Sequence, residues 1–335
     1  MKVAFFSTKS YDREFFDKFN LAGKQHLAYF EAALNIDTVS LAENSEGVCV
    51  FVNDKLDKEV IEKLATFNIK LIALRCAGFN NIDVQAATEN NISIVRVPSY
   101  SPQAIAEHAV ALILTLNRKT HKAYNRIREN NFSLERMLGF NLDKKIAGVI
   151  GTGKTGTAFC KIMQGFGCQV IATDIVESDD LKKSGVVYKT LDELLTTSDI
   201  ISLHCPLTSA TQHLIDKDAF DKMKHGVMLI NTSRGAVIKA TDAIEALKNE
   251  KLGYLGMDVY EQEENLFFKD LSEIIIQDDT ISRLMSFPNV LITAHQGFFT
   301  KEALEEIVKT TFKNISDFEN GFLNENVLRI TFNQH

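Results

Sequence analysis

The run Ile146-Ala147-Gly148-Val149-Ile150 is a buried-strand pattern that feeds directly into Gly151-Thr152-Gly153-Lys154-Thr155-Gly156. Glycines at the first, third and sixth positions of a strand-to-helix turn permit a tight bend. They also let the backbone approach a pyrophosphate seated on the positive end of the following helix. Residues Thr157 to Phe166 read as that helix. The same architecture calls for an acidic residue about 20 residues further on, at the end of the next strand, to hydrogen-bond ribose hydroxyls. Asp174 closes Val170-Ile171-Ala172-Thr173 at that position. Ile175-Val176-Glu177 offers no Arg or Lys for a 2′-phosphate, so the pattern predicts NAD rather than NADP.

A rival pattern uses the same residues. Gly148-x-x-x-x-Gly153-Lys154-Thr155 matches the phosphate loop of nucleoside-triphosphatases, with Lys154 gripping the β- and γ-phosphates. That reading needs the loop to open at Gly148, where Val149-Ile150 still look like strand. It also leaves Gly151, Gly156 and Asp174 without roles. In the dinucleotide reading, Lys154 and Thr155 occupy the two variable turn positions.

The remainder of the chain supports a sheet covered by helices, because β-branched runs alternate with amphipathic stretches. Strands are expected at Lys2–Phe6, Val48–Phe51, Lys70–Leu74 and Ile92–Val97, with a helix over Leu56–Phe67. Ser101-Pro102 then opens a long apolar helix running toward Asn117. A second strand series follows at Ile146–Ile150, Gln169–Thr173, Ile200–Leu203, Val227–Asn231, Tyr254–Met257 and Val290–Thr293. Lys301–Asn320 closes the chain as an amphipathic helix stopped by Gly321. Two α/β domains are expected, meeting near Ser101. A net charge of −7 argues against nucleic acid and anionic membrane as partners. No apolar stretch reaches membrane-helix length, and the first residues do not form a signal peptide. Five cysteines without a CxxC pair fit a reducing cytoplasm, and no metal site is indicated.

Three segments could carry chemistry. Asn231-Thr232-Ser233-Arg234-Gly235, Met257-Asp258-Val259-Tyr260-Glu261-Gln262-Glu263 and Thr293-Ala294-His295-Gln296-Gly297 each follow a predicted strand. Ligands of open α/β sheets bind at such strand ends. A guanidinium can hold a carboxylate and polarise the adjacent carbonyl, and an imidazolium can supply a proton. A nearby carboxylate favours the charged imidazole. The set suits reduction of a 2-keto acid. Taken singly, Arg234 also reads as a surface ion pair, Glu263 as part of a solvated acidic stretch, and His295 as a structural histidine.

These blocks resemble the D-isomer-specific 2-hydroxyacid dehydrogenases, and within them the fermentative D-lactate dehydrogenases. The resemblance spans nearly the whole length. It includes Arg75-Cys76-Ala77-Gly78-Phe79-Asn80-Asn81, Arg96-Val97-Pro98, Tyr100-Ser101-Pro102, Ala106-Glu107-His108 and His204-Cys205-Pro206-Leu207. It also takes in the glycine turn, Asn231–Gly235, Asp258–Glu263, Leu266-Phe267-Phe268 and His295-Gln296. It implies Arg234 as the residue that binds and polarises substrate, His295 as acid/base and Glu263 as the histidine's partner. It implies Ala77, Gly78 and Tyr100 as further substrate contacts. For the coenzyme it implies Gly151, Gly153, Lys154, Thr155, Gly156, Asp174, Cys205, Pro206, Thr211, Thr232, Ser233 and Asp258. His108 would be structural, on the long helix.

Thr155 departs from the aliphatic residue usual in the family, which touches coenzyme fit and not the reaction. Retention of Glu263 disfavours formate oxidation. The implied fold is two Rossmann/flavodoxin-like domains, with an NAD domain (101–298) inserted into a discontinuous substrate domain (1–100 and 299–335). The resemblance further implies a homodimer or homotetramer with NAD domains in contact. The implied reaction is NADH-dependent reduction of pyruvate to D-lactate, and its reverse. Close alternatives are D-2-hydroxyisocaproate, hydroxypyruvate or glyoxylate chemistry, since one methylene changes preference by only about 1–3 kcal/mol. A NAD-sensing regulator on the same fold is the rival from another class, and it would not need Arg234, Glu263 and His295 together.

Overall fold

Short parallel strands, the central ones fully buried, dictate the architecture, because a strand buried on both faces needs helices on both sides. The computed structural model describes residues 1–20, 23–322 and 324–328. The chain divides into two compact units, Met1–Ser101 with Phe299–His335, and Pro102–Phe298. The second unit interrupts the first in sequence. Residues 329–335 of the expected substrate domain lie outside the described residues.

The first unit contains β1 (Lys2–Phe5), α1 (Ser10–Phe19), β2 (His26–Tyr29), β3 (Gly47–Val50), α2 (Lys58–Thr66), β4 (Leu71–Leu74), α3 (Val84–Glu89) and β5 (Ser93–Arg96). Its all-parallel sheet has the order β2-β1-β3-β4-β5, the doubly wound flavodoxin order. One face packs on α2 and α3 through Val60, Ile61, Leu64, Ala86 and Ala87. The other packs on α1 and the chain's last helix through Phe16, Val308 and Ile315. The edge strand β2 was not expected. His-Leu-Ala-Tyr has no β-branched residue and none of its side chains is fully buried, so periodicity gave no signal.

The second unit begins with α4 (Pro102–Arg118) and α5 (Thr120–Arg128). It continues with β6 (Ile146–Ile150), α6 (Lys154–Gly165), β7 (Gln169–Thr173), α7 (Asp179–Lys183), β8 (Val187–Tyr188), α8 (Leu191–Thr197), β9 (Ile200–Leu203) and α9 (Lys217–Lys222). Then follow β10 (Val227–Asn231), α10 (Ala240–Lys248), β11 (Leu252–Met257), α11 (Asp279–Ser286) and β12 (Val290–Ile292). The seven strands are parallel in the order β12-β11-β10-β9-β6-β7-β8. Strand order reverses between β9 and β6, which is the switch point where a dinucleotide crosses such a sheet. The two-residue β8 was also unexpected, being too short to show alternation.

The register decides the rival reading of the glycine turn. Gly148 is paired with Ile171 on one side and Ile201 on the other, in the middle of β6. A phosphate loop cannot open there. One detail of the sequence reading is corrected: α6 begins at Lys154, so Lys154 and Thr155 form its first turn rather than lying in the loop before it. Gly153 is the N-cap of that helix, so the turn proper is only Gly151-Thr152-Gly153.

The final helix, α12 (Lys301–Glu319), ends at Asn320, with Gly321 in the left-handed region. Among the described residues, no helix is long and apolar enough to cross a membrane, and no group of three or more His, Cys, Asp or Glu residues is placed to hold a metal.

Candidate active site

All the side chains of interest in the second unit leave the carboxyl ends of its strands. Read across the sheet, His295 follows β12, Glu263 follows β11, Arg234 follows β10, Cys205 follows β9, the glycine turn follows β6 and Asp174 follows β7. With strands about 4.8 Å apart, the chemistry-bearing groups and the phosphate turn occupy neighbouring stretches of one sheet edge.

The three glycines of the turn do different work. Gly151 sits at φ +92°, and a Cβ there would lie 2.7 Å from the Cys205 amide nitrogen. A Cβ on Gly156 would lie 2.0 Å from the Gly151 carbonyl oxygen. Gly153 is different, because a Cβ there meets nothing within 4 Å. It caps α6 without a side-chain hydrogen bond, so the first amides of that helix remain free for a phosphate. This open cradle fits a dinucleotide. We therefore expect Gly153→Ala to fold normally yet weaken NADH at least about tenfold, roughly 1.4 kcal/mol. Gly156→Ala should instead lower Tm by roughly 4–10 °C through overpacking. Calorimetry and fluorescence titration of both variants check the contrast; equal NADH affinity in Gly153→Ala and wild type would remove the cradle.

Asp174 accepts from the Thr152 amide (2.5 Å) and hydroxyl (3.0 Å). Burial alone would raise its pKa, but the hydrogen bonds from Thr152, Val176 and Ile175 hold it below the ordinary carboxylate range. The Tyr188 hydroxyl donates to the Thr152 hydroxyl at 2.9 Å. Tyr188 had no motif to announce it. Lys182, a cation in this stretch, is paired with Glu177 at 2.6 Å, which preserves the case against a 2′-phosphate. On the neighbouring loop, Thr211 donates to the Pro206 carbonyl at 2.6 Å. Cys205 is buried, and burial pushes its thiol up to about 11, so it is no nucleophile.

The Arg234 loop is shaped by Asn231. Its Oδ1 accepts from the Ser233 amide (3.0 Å) and hydroxyl (2.8 Å), and its Nδ2 donates to the Arg234 carbonyl (2.9 Å). Gly235 packs so closely that a Cβ would sit 2.0 Å from the Tyr260 carbonyl carbon. This contact ties the Arg234 loop to the one carrying Glu263. Thr232, on the same loop, keeps a buried hydroxyl with no hydrogen-bond partner among the described residues.

Glu263 and His295 meet directly. Glu263 Oε1 lies 2.8 Å from His295 Nδ1, while Oε2 accepts from the Tyr260 amide at 2.9 Å. With Nδ1–H donating to the carboxylate, Nε2 is the ring nitrogen that does not face Glu263. His295 itself has φ +52°, and its amide donates to the Asp258 carbonyl at 2.7 Å. Asp258 is 1% exposed. Its Oδ1 accepts from the Thr293 hydroxyl (2.5 Å) and Gln296 amide (2.8 Å), and its Oδ2 from the Gly297 amide (2.7 Å). His108 Nε2 approaches Oδ1 at 3.2 Å and the Thr293 hydroxyl at 3.0 Å. Burial would raise the Asp258 carboxyl, but His108, Thr293 and Gln296 hold it low. Asp258, anticipated among the coenzyme contacts, thus has both oxygens engaged in the turn that presents His295. The helix residue His108 takes part in that support.

The remaining anticipated substrate contacts belong to the first unit. Ala77 and Gly78 follow β4, and the Ala77 carbonyl accepts from Arg96 Nη1 at 2.8 Å. Arg96 also stacks on Phe79, 5.2 Å from the ring centroid. Arg75 is buried beneath, with Nε 3.4 Å from Asp12 and Nη2 donating to the Ser7 carbonyl at 2.9 Å. Tyr100 is half-buried just before α4.

Comparison with known proteins places the chain in a family. Residues 110–297 match the family model described as "D-isomer specific 2-hydroxyacid dehydrogenase, NAD binding domain". A 2-hydroxyacid dehydrogenase homolog of Haemophilus influenzae is 51% identical over 328 residues, covering 98% of this chain and 99% of the relative. The apo structure of Escherichia coli D-lactate dehydrogenase is 48% identical with a TM-score of 0.90, covering 98% of this chain and 100% of that one. The Aquifex aeolicus D-lactate dehydrogenase, solved with NAD and lactic acid, is 36% identical with a TM-score of 0.85, covering 95% of this chain and 96% of that one. The chain belongs to the D-isomer-specific 2-hydroxyacid dehydrogenases, NAD-dependent enzymes whose coenzyme domain it carries on its second unit.

Proposed function

We propose that this enzyme interconverts pyruvate and D-lactate, with Arg234, Glu263 and His295 as its catalytic residues. The carrying observation is the Glu263–His295 hydrogen bond of 2.8 Å, beside Arg234 on the next strand end but one. Bound NADH supplies the hydride that reduces the carbonyl carbon. The Arg234 guanidinium holds the 2-keto acid's carboxylate and draws electron density toward the carbonyl oxygen. His295 delivers the proton to that oxygen from Nε2, and in the reverse direction removes it. Glu263 fixes the ring and stabilises its positive charge. Ala77 and Gly78 offer backbone groups to the substrate carboxylate, and Tyr100 its hydroxyl. Residues 101–298 serve the coenzyme and 1–100 with 299–335 the substrate. Lys154, Thr155, Cys205, Pro206, Thr211, Thr232 and Ser233 line the coenzyme's path, from phosphates to nicotinamide.

Substrate choice rests on about 48–51% identity to relatives that include the E. coli D-lactate dehydrogenase. Its test is NADH oxidation with pyruvate, 2-ketoisocaproate, hydroxypyruvate and glyoxylate. Pyruvate should give the highest kcat/KM; a tenfold preference for another acid would reassign the substrate. Tight NADH binding without turnover on any of them would instead favour a sensor.

We also infer a homo-oligomer built through the second unit. Tyr124, Ile127, Phe132, Leu134 and Leu138 are exposed on α5 and the segment after it, and the two leucines are each 85% exposed. Such a cluster is an association surface rather than scattered apolar residues. Leu134→Lys with Leu138→Lys should shift the sedimentation coefficient toward a monomer; an unchanged value would remove this surface. All five cysteines are buried and outside any disulfide, which supports a reducing, cytoplasmic location.

A further inference from the structure

In the first unit, one guanidinium grips both neighbours of Gly78. Arg96 Nη1 donates to the Ala77 carbonyl at 2.8 Å, and the same guanidinium lies 5.2 Å from the centre of the Phe79 ring. Arg96 is the last residue of β5, in register with Leu74 at the end of β4, so it stands beside the turn that β4 enters. Its backbone is pinned from both sides. The amide donates to the Asn326 carbonyl at 3.1 Å, and the carbonyl accepts from Asn314 Nδ2 on α12 at 2.9 Å. Asn314 is buried, and its Oδ1 accepts in turn from Asn324 and Asn326. Arg96 forms no ion pair among the described residues, so its charge is directed at the peptide and the ring.

The Ala77–Gly78 peptide is trans, so its C=O and N–H point in opposite directions. With the carbonyl held by Arg96, the Gly78 N–H faces away from that guanidinium. It donates to no group among the described residues. Glycine tolerates both signs of φ, so a peptide at this position flips at little steric cost unless something holds it. The flipped form would aim a carbonyl oxygen where a substrate carboxylate has to bind. Arg96 opposes the flip at the Ala77 carbonyl, and the stack on Phe79 restrains the following residue. The Cys76 thiol, donating to the Gly78 carbonyl at 3.3 Å, fixes the next peptide. A charge-assisted bond at the Ala77 carbonyl also polarises the peptide, which makes its N–H a stronger donor.

We propose that Arg96 is a positioning residue: it orients and polarises the 77–78 peptide so that the Gly78 N–H meets the 2-keto acid's carboxylate, which rests on the reading of Gly78 given above. The test uses the full-length enzyme and whichever 2-keto acid the wild type reduces best. Arg96→Ala should raise KM for that acid at least about tenfold, the worth of one hydrogen bond to a charged group, with kcat within about threefold of wild type. NADH affinity should be unchanged. Methylguanidinium at a non-denaturing concentration should recover part of the lost affinity in Arg96→Ala and leave wild type as it was, whereas a packing role predicts no such rescue. Arg96→Lys is the second variant, retaining charge and stem. An ammonium cannot hold the carbonyl and stack flat on Phe79 together, so its KM should fall between the other two. A KM in Arg96→Ala within about twofold of wild type, a loss of kcat as large as the rise in KM, or no recovery with methylguanidinium would overturn the role. Wild type inactive on every 2-keto acid would instead refute the proposed reaction, and the role of Arg96 with it.

Discussion

His295→Ala should lower kcat by about 10²–10⁴-fold, the range for a positioned acid–base group, while NADH affinity stays within about twofold of wild type. The separation follows from the geometry. His295 is held by Glu263 at Nδ1 and by Asp258 through its backbone amide, and none of these bonds involves the glycine turn on β6. Removing the imidazole should therefore leave the coenzyme cradle intact. Stopped-flow fluorescence for NADH binding and steady-state turnover with pyruvate read the two quantities independently. Turnover within tenfold of wild type would take His295 out of its role. Glu263→Gln provides an internal comparison, because an amide can still orient the ring through its oxygen but carries no charge. Its defect should be smaller than that of His295→Ala.

Arg234→Lys should cost roughly 10²–10³-fold in kcat/KM, about 3–4 kcal/mol, as for the loss of one preorganised donor at a developing oxyanion. Charge is retained, so a purely electrostatic role predicts almost no change. The planar fork is lost, and with it simultaneous contact to carboxylate and carbonyl oxygen. The loop should survive the substitution. Its shape rests on the Asn231 side chain and on the Gly235–Tyr260 contact, and the Arg234 side chain adds only a 2.7 Å bond from Nη1 to the Ser233 carbonyl. Unfolding temperature should therefore remain near wild type. Steady-state kinetics with pyruvate provide the check, and a lysine variant with near-normal kcat/KM would contradict bidentate recognition.

Sequence carried most of this fold because its central strands are buried apolar runs. All six strands expected between Ile146 and Thr293 are present within two residues of their predicted ends. Those missed, β2 and β8, are edge strands too short or too exposed for hydrophobic alternation to mark them. The chemical groups were legible for a related reason, since each follows a strand and the parallel order brings strand ends together. The supporting contacts were not. Tyr188 on Thr152, Gly235 against Tyr260, and the grip of Asp258 on the 293–297 turn join residues distant in sequence. No local pattern encodes which partner such a group will find.

The central claim is stereospecific hydride transfer from NADH to pyruvate. A single-turnover reaction with enzyme in excess over NADH, followed by chiral chromatography of the product, tests it most directly. One D-lactate should form for each NADH oxidised. L-lactate, a racemate, or NADH loss without lactate would contradict the account.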